Sequence, residues 1–125
     1  MIGVLRGAWM LLIMLLLVAS ARADGDPARG EARFRECAAC HRLEAGVNEV
    51  GPSLHGIFTR KAGELADFRY SPAMKRSGIA WTAETLDKYV ADPQAFIPDN
   101  RMPYAGMADA GDRADLLAYL LKATR

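Results

Sequence analysis

The sequence predicts a small all-α domain of about four to five helices joined by long loops. Three observations predict it. The 125-residue chain has room for one small domain and not two. Apolar residues recur at helical spacing, most clearly at Leu116, Leu117, Leu120 and Leu121, joined by Tyr119. No segment shows the period-two alternation of a strand, and neither an internal repeat nor a low-complexity tract is present.

Residues 1–23 stand apart from that domain. Ala8 to Val18 is an almost unbroken apolar run, followed by the small residues Ala19-Ser20-Ala21-Arg22-Ala23. This is the pattern of a secretory signal peptide cleaved after Ala23, leaving 24–125 as the domain. The apolar run falls short of the roughly 20 residues that cross a bilayer core. No stable membrane insertion is therefore expected after cleavage, and an uncleaved anchor is the alternative. Cleavage removes Arg6 and Arg22 and no acid, so the formal charge moves from +1 to −1. That balance does not suggest nucleic acid, nor a strongly basic docking face.

The helices follow in order. Asp26-Pro27 reads as an N-cap and a proline at the first helical position. That helix is expected to pass Gly30 and Phe34 and reach the cysteines. Leu43 to Pro52 reads as loop, punctuated by Gly46, Gly51-Pro52 and then Gly56. Ser71-Pro72 opens a short helix that stops near Gly78. Thr82 caps the next, with Trp81 and Leu86 at the positions of a hydrophobic staple. Asp92-Pro93 begins a further turn or short helix. Pro98 and Pro103 bound an irregular stretch around Met102, and the last helix should span about Asp109 to Ala123. Loops this long in a small domain need something to pack against.

The chemistry lies in Cys37-Ala38-Ala39-Cys40-His41, the C-x-x-C-H pattern of c-type haem attachment. Residues three and four apart share a helix face. Cys37 and Cys40 can then reach the two vinyl groups on one porphyrin edge, and His41 can turn its imidazole toward the iron as proximal ligand. The competing readings fare worse. A thioredoxin-like site needs a βαβ context. A zinc site needs about four ligands, and this chain has two Cys and two His in all. A disulfide across so small a loop would stabilise little.

The sixth iron position decides the function. An open one suggests catalysis or gas binding, and a filled one suggests electron transfer. The candidates are Met74, Met102, Met107 and His55. Met102 is best placed, in the proline-bounded stretch Ile97 to Tyr104, with Met107 as its competitor. Met74 lies on a helix, where methionine is commonly core filler, and His55 lies in a glycine-bounded loop. A neutral thioether favours ferrous iron and raises the potential.

These residues, from about Gly25 to Arg125, resemble the class I cytochromes c, closest to the mitochondrial type and its soluble bacterial relatives. The resemblance implies the small cytochrome c fold wrapped around one covalently bound haem c. It implies Met102, in Ile97-Pro98-x-x-x-Met102, as distal ligand. It also implies that the Pro52 carbonyl accepts the His41 N–H. Arg60, Tyr70, Ser71 and Trp81 match positions that hold the haem propionates, and a buried carboxylate needs such partners. Tyr89 matches a tyrosine whose hydroxyl approaches the axial sulfur. Gly30, Phe34, Leu116 and Tyr119 match a crossing of the first and last helices.

Some positions depart from the family pattern. Phe68 stands for a frequent Tyr, Met74 for the mitochondrial Asn, Asn100 for a common Thr and Tyr104 for a common Phe. Lysine is scarce, with only Lys61, Lys75, Lys88 and Lys122. Arg35, Arg76 and Arg101 could replace part of the lysine ring of mitochondrial relatives.

The expectation is therefore a periplasmic, monomeric, non-enzymatic one-electron carrier. By resemblance, its partners would be a quinol-oxidising cytochrome complex and a terminal oxidase or photosynthetic reaction centre. The alternatives are a haem enzyme or gas sensor with an open sixth site, or a redox subunit of a larger complex.

Overall fold

A computed structural model describes residues 25–125; the expected signal peptide lies outside the described residues. Five helices follow one another: α1 (Pro27–Ala38), α2 (Pro72–Arg76), α3 (Ala83–Ala91), α4 (Pro93–Phe96) and α5 (Ala110–Ala123). A 3-10 turn, Ile57–Thr59, interrupts the long connection between α1 and α2. The described residues contain no strand, only an isolated antiparallel bridge between Lys61 and Ala80. The all-α expectation holds.

Caps set the helix starts. The Asp26 carboxylate accepts from the amides of Ala28 and Arg29, at 2.8 and 3.3 Å. Ser71, Thr82, Asp92 and Asp109 cap α2 to α5 in the same way. Such side chains satisfy amides that have no partner inside the helix. At α3, Thr85 closes a reciprocal capping box with Thr82. Trp81 and Leu86, the expected staple pair, are both buried.

The crossing of α1 and α5 is the largest helix contact. Gly30 makes it possible, because a Cβ there would run into the Asp115 carbonyl. Phe34 packs its ring 5.5 Å from that of Tyr119. The buried Asp115 carboxylate accepts from the Asp26 amide at 2.7 Å and from Arg29 Nε at 2.9 Å. Arg33 adds an ion pair to Asp112 at 3.0 Å.

Two expectations need correcting. The first helix ends at Ala38, so Cys40 and His41 lie past it and not on it. Their amides still bond back to the Cys37 carbonyl, at 3.1 and 2.9 Å, so one more turn of helical pitch is kept. On α5 the apolar stripe is narrower than expected: Leu116 and Leu120 are buried, whereas Leu121 is 40% exposed. A four-residue spacing keeps Leu116 and Leu120 on one face, and Leu121 turns about 100° away from Leu120.

The core gathers Phe34, Leu54, Ile57, Trp81, Leu86, Tyr89, Ile97, Met107, Leu116 and Leu120. Cys37, Leu43, Met74 and Met102 pack against it while staying half-buried.

Candidate haem site

The turn after α1 delivers His41 to a fixed seat. Its Nδ1 lies 2.7 Å from the Pro52 carbonyl oxygen. A carbonyl can only accept, so Nδ1 carries the proton and Nε2 keeps its lone pair. Burial lowers the imidazole pKa, and Arg60 lowers it further, against the opposing Pro52 bond. The ring is thus held neutral, as a metal ligand must be. Gly51 forms its floor: a Cβ there would meet the imidazole itself.

Backbone bonds hold the loop that carries this seat. The Gly51 amide donates to Cys40 and the Leu54 amide to Arg42, each at 2.9 Å. Ser53 donates its hydroxyl to the Glu44 carbonyl at 2.6 Å. Arg42 reaches back to the Ala38 carbonyl at 2.6 Å, satisfying the end of α1.

Cys37 and Cys40 form no disulfide with each other and are both half-buried. Burial, helped by Glu36 and Cys40, pushes the Cys37 thiol up to about 11. Before attachment Cys37 is thus held in the thiol form against the core margin, unlike the activated thiolate of a dithiol-redox site.

Met102 approaches from the other end of the chain. Its sulfur lies 3.8 Å from the Tyr89 hydroxyl. Tyr89 is itself buried, which pushes its phenol up to about 12. The Met102 segment and α1 are tied together by Tyr104, whose hydroxyl donates to Glu36 at 2.7 Å. One bond therefore joins a residue beside Cys37 to a residue two beyond Met102.

The other candidate ligands are placed differently. Met107 is 6% exposed, inside the core, with its amide on Val90. Met74 packs at the core margin on α2, and His55 is exposed.

The four residues matched to propionate positions sit together only in part. The Trp81 amide donates to the Arg60 carbonyl at 3.1 Å, which places the two side by side. Tyr70 lies close enough to Arg60 for their charges to interact. The Arg60 guanidinium donates to the Ser53 carbonyl at 2.6 Å and the His55 carbonyl at 3.3 Å, leaving further donors. The Ser71 oxygen accepts from the Met74 amide at 3.0 Å, so this hydroxyl serves first as a helix cap and keeps its own proton to donate. Trp81 packs its ring 5.1 Å from Tyr89.

Two contacts escaped the sequence reading. Asn100, noted only as a departure, is buried and bonded on every side. The Glu36–Tyr104 bond spans 68 positions, and no local pattern announces it. For Asn100 there was a signal, since Asn in a proline-bounded stretch is a turn-forming residue.

The donor set suits a haem. Among the described residues no three His, Cys, Asp or Glu side chains cluster as a metal site. A porphyrin brings four nitrogens of its own and asks only for axial donors. One imidazole with a free Nε2, one thioether and two cysteine sulfurs match that demand.

Comparison with known proteins agrees. The family model described as Cytochrome c matches residues 27–124. The chain is 49% identical over 98 residues to Cytochrome c2 iso-2 of Magnetospirillum fulvum, covering 78% of this chain and 97% of that protein. It is 43% identical over 111 residues to Cytochrome c2 of Blastochloris viridis, covering 88% and 87%. It is also 40% identical over 110 residues to Cytochrome c of Arabidopsis thaliana, covering 86% and 98%.

Proposed function

The chain belongs to the cytochrome c family, and from that premise we propose that it is a periplasmic one-electron carrier with His41 and Met102 as axial ligands. It holds one covalent haem c, and Cys37 and Cys40 are the attachment points. The haem supplies an iron that changes oxidation state by one electron. The protein supplies two ligands that stay in place in both states.

The observation that carries this reading is the pairing of two supported donors. Pro52 fixes the His41 ring and leaves Nε2 available. Tyr89 stands at the Met102 sulfur. Hydrogen bonds of this kind set ligand orientation and donor strength. With both ligands retained, little moves when an electron arrives, and no position is left for a substrate. The protein then acts as a carrier and not as an enzyme. Arg60, Tyr70, Ser71 and Trp81 would hold the haem carboxylates.

Removal of residues 1–23 would release the domain into the periplasm as a monomer. There it would pass electrons from a quinol-oxidising cytochrome complex to a terminal oxidase or a reaction centre. Three relatives bearing the name cytochrome c2 support the bacterial setting.

Absorption spectra of the purified ferric and ferrous protein test the ligands. A methionine-to-iron charge-transfer band should be lost in Met102→Ala and kept in Met107→Ala. Wild-type ferric protein that is five-coordinate would overturn the carrier and favour a haem enzyme or gas sensor. Cys37→Ser and Cys40→Ser should each impair attachment. Normal covalent haem in both would refute those sites.

A further inference from the structure

The stretch that carries Met102 has no regular secondary structure, yet one buried side chain organises it. Ile97 to Asn100 forms a turn closed by the Asn100 amide on the Ile97 carbonyl at 3.2 Å. Pro98 occupies its second position. Asp99 occupies the third at φ 67°, the left-handed conformation that a type II turn requires. The turn delivers Asn100 into the interior, where it is 6% exposed.

There the Asn100 amide uses its full bonding capacity. Nδ2 donates to the Pro93 and Ile97 carbonyls, each at 2.9 Å. Oδ1 accepts from the Met102 amide at 2.9 Å and from the Tyr89 hydroxyl at 3.4 Å. From outside, Gln94 donates to the Asn100 carbonyl at 2.9 Å. One side chain thus joins the start of α4, the turn, the backbone of Met102 and the tyrosine beside the Met102 sulfur. A buried amide with two donors and two acceptor sites can be satisfied this way in one geometry only, so the network is directional.

Resting on the ligand assignment above, we propose that Asn100 is the positioning residue that keeps Met102 seated for the iron. It fixes the Met102 backbone through the amide bond, and it shares the Tyr89 hydroxyl with the Met102 sulfur. Without Asn100 the Met102 amide loses its buried acceptor, and the strap is held only by apolar packing, Tyr89 and the Tyr104–Glu36 bond. An external ligand then displaces it more readily.

The test is imidazole titration of ferric holoprotein at fixed pH, following loss of the charge-transfer band. Asn100→Ala should bind imidazole about tenfold more tightly than wild type, the factor that loss of a buried hydrogen bond supplies. Asn100→Thr, whose single hydroxyl replaces part of the amide's bonding, should fall between, near threefold. Thr85→Ala is the control. It breaks the α3 capping box and lowers thermal stability while leaving imidazole affinity within about twofold. If Asn100→Ala shifts imidazole affinity no more than Thr85→Ala does, Asn100 is merely structural and the proposal fails. Should Asn100→Ala yield no holoprotein, Asn100→Thr decides by the same comparison. A wild-type protein lacking the band, with imidazole binding unchanged in Met102→Ala, would sink the ligand assignment instead.

Discussion

At the scale of single residues, the imidazole seat rests on a residue with no side chain. A methyl group at Gly51 would enter the space of the His41 ring. Gly51→Ala should destabilise the holoprotein by about 1–3 kcal/mol, the usual result of overfilling a packed site. The urea midpoint measures it, and an unchanged midpoint would mean that the 41–54 loop yields without cost. The sequence made the proximal half of this site legible, because C-x-x-C-H is a spacing imposed by the chemistry of attachment. The distal half was legible as a ranking of four candidate ligands, with Met102 best placed in its proline-bounded stretch and the family pattern setting it above Met107. Asn100 stayed hidden for a physical reason. Its partners lie 11 positions away at Tyr89 and 7 at Pro93, and only the turn at Asp99 brings them together.

At the scale of elements, the α1–α5 crossing yields two predictions that general helix rules would get wrong. Alanine normally favours a helix over glycine by about 1 kcal/mol. At Gly30 the sign reverses, because the Cβ collides with the Asp115 carbonyl. Gly30→Ala should lower stability by about 1–3 kcal/mol, and chemical denaturation of the holoprotein would reveal a gain if the helices part freely. Asp115 supplies the second. The hydrogen bond from Arg29, the Asp26 amide and the nearby Arg33 hold its carboxyl below the usual range. A depressed folded-state pKa stabilises the protein above the unfolded value and stops doing so as pH falls through the folded one. Asp115→Asn should therefore lower Tm near neutrality, and the gap from wild type should close in acid. Thermal melts between about pH 7 and about pH 3 check this, and a constant gap would exclude the charge as the cause. Helix starts were readable because caps are local: Asp26 and Thr82 cap as expected, and Ser71, Asp92 and Asp109 prove to be the caps at the other three expected starts. The end of α1 was not, because a turn of helical hydrogen bonds continues through Cys40 and His41 after the helix itself stops.

At the scale of the whole molecule, the long connections before α2 and between α4 and α5 are what sequence periodicity could not fold. Their paths are set by contacts beyond any local period: Pro52 on His41, Tyr104 on Glu36, and the Met107 amide on the Val90 carbonyl at 2.9 Å. Charge, by contrast, was readable at once, and it bears on how such a carrier meets its partners. From residue 24 onward the acids outnumber Lys and Arg by one. Many of the cations are already engaged within the domain: Arg29 and Arg33 across the helix crossing, Arg42 with Glu49, Lys88 with Glu84, and Arg113 with Asp87. Beside Cys37, Glu36 places an acid next to the attachment site and gives it to Tyr104. A surface so balanced carries little net field of one sign, and steering should contribute little to its encounter rate. Oxidation of the ferrous protein by an anionic reagent such as ferricyanide should then change less than about threefold between about 0.01 M and about 0.15 M ionic strength, over which the Debye length shrinks from about 30 Å to about 8 Å. Stopped-flow kinetics give the answer. A rate falling tenfold with added salt would reveal a concentrated basic face at the site of electron exit, built from cations such as Arg35, Arg76 and Arg101 that form no ion pair within the described residues.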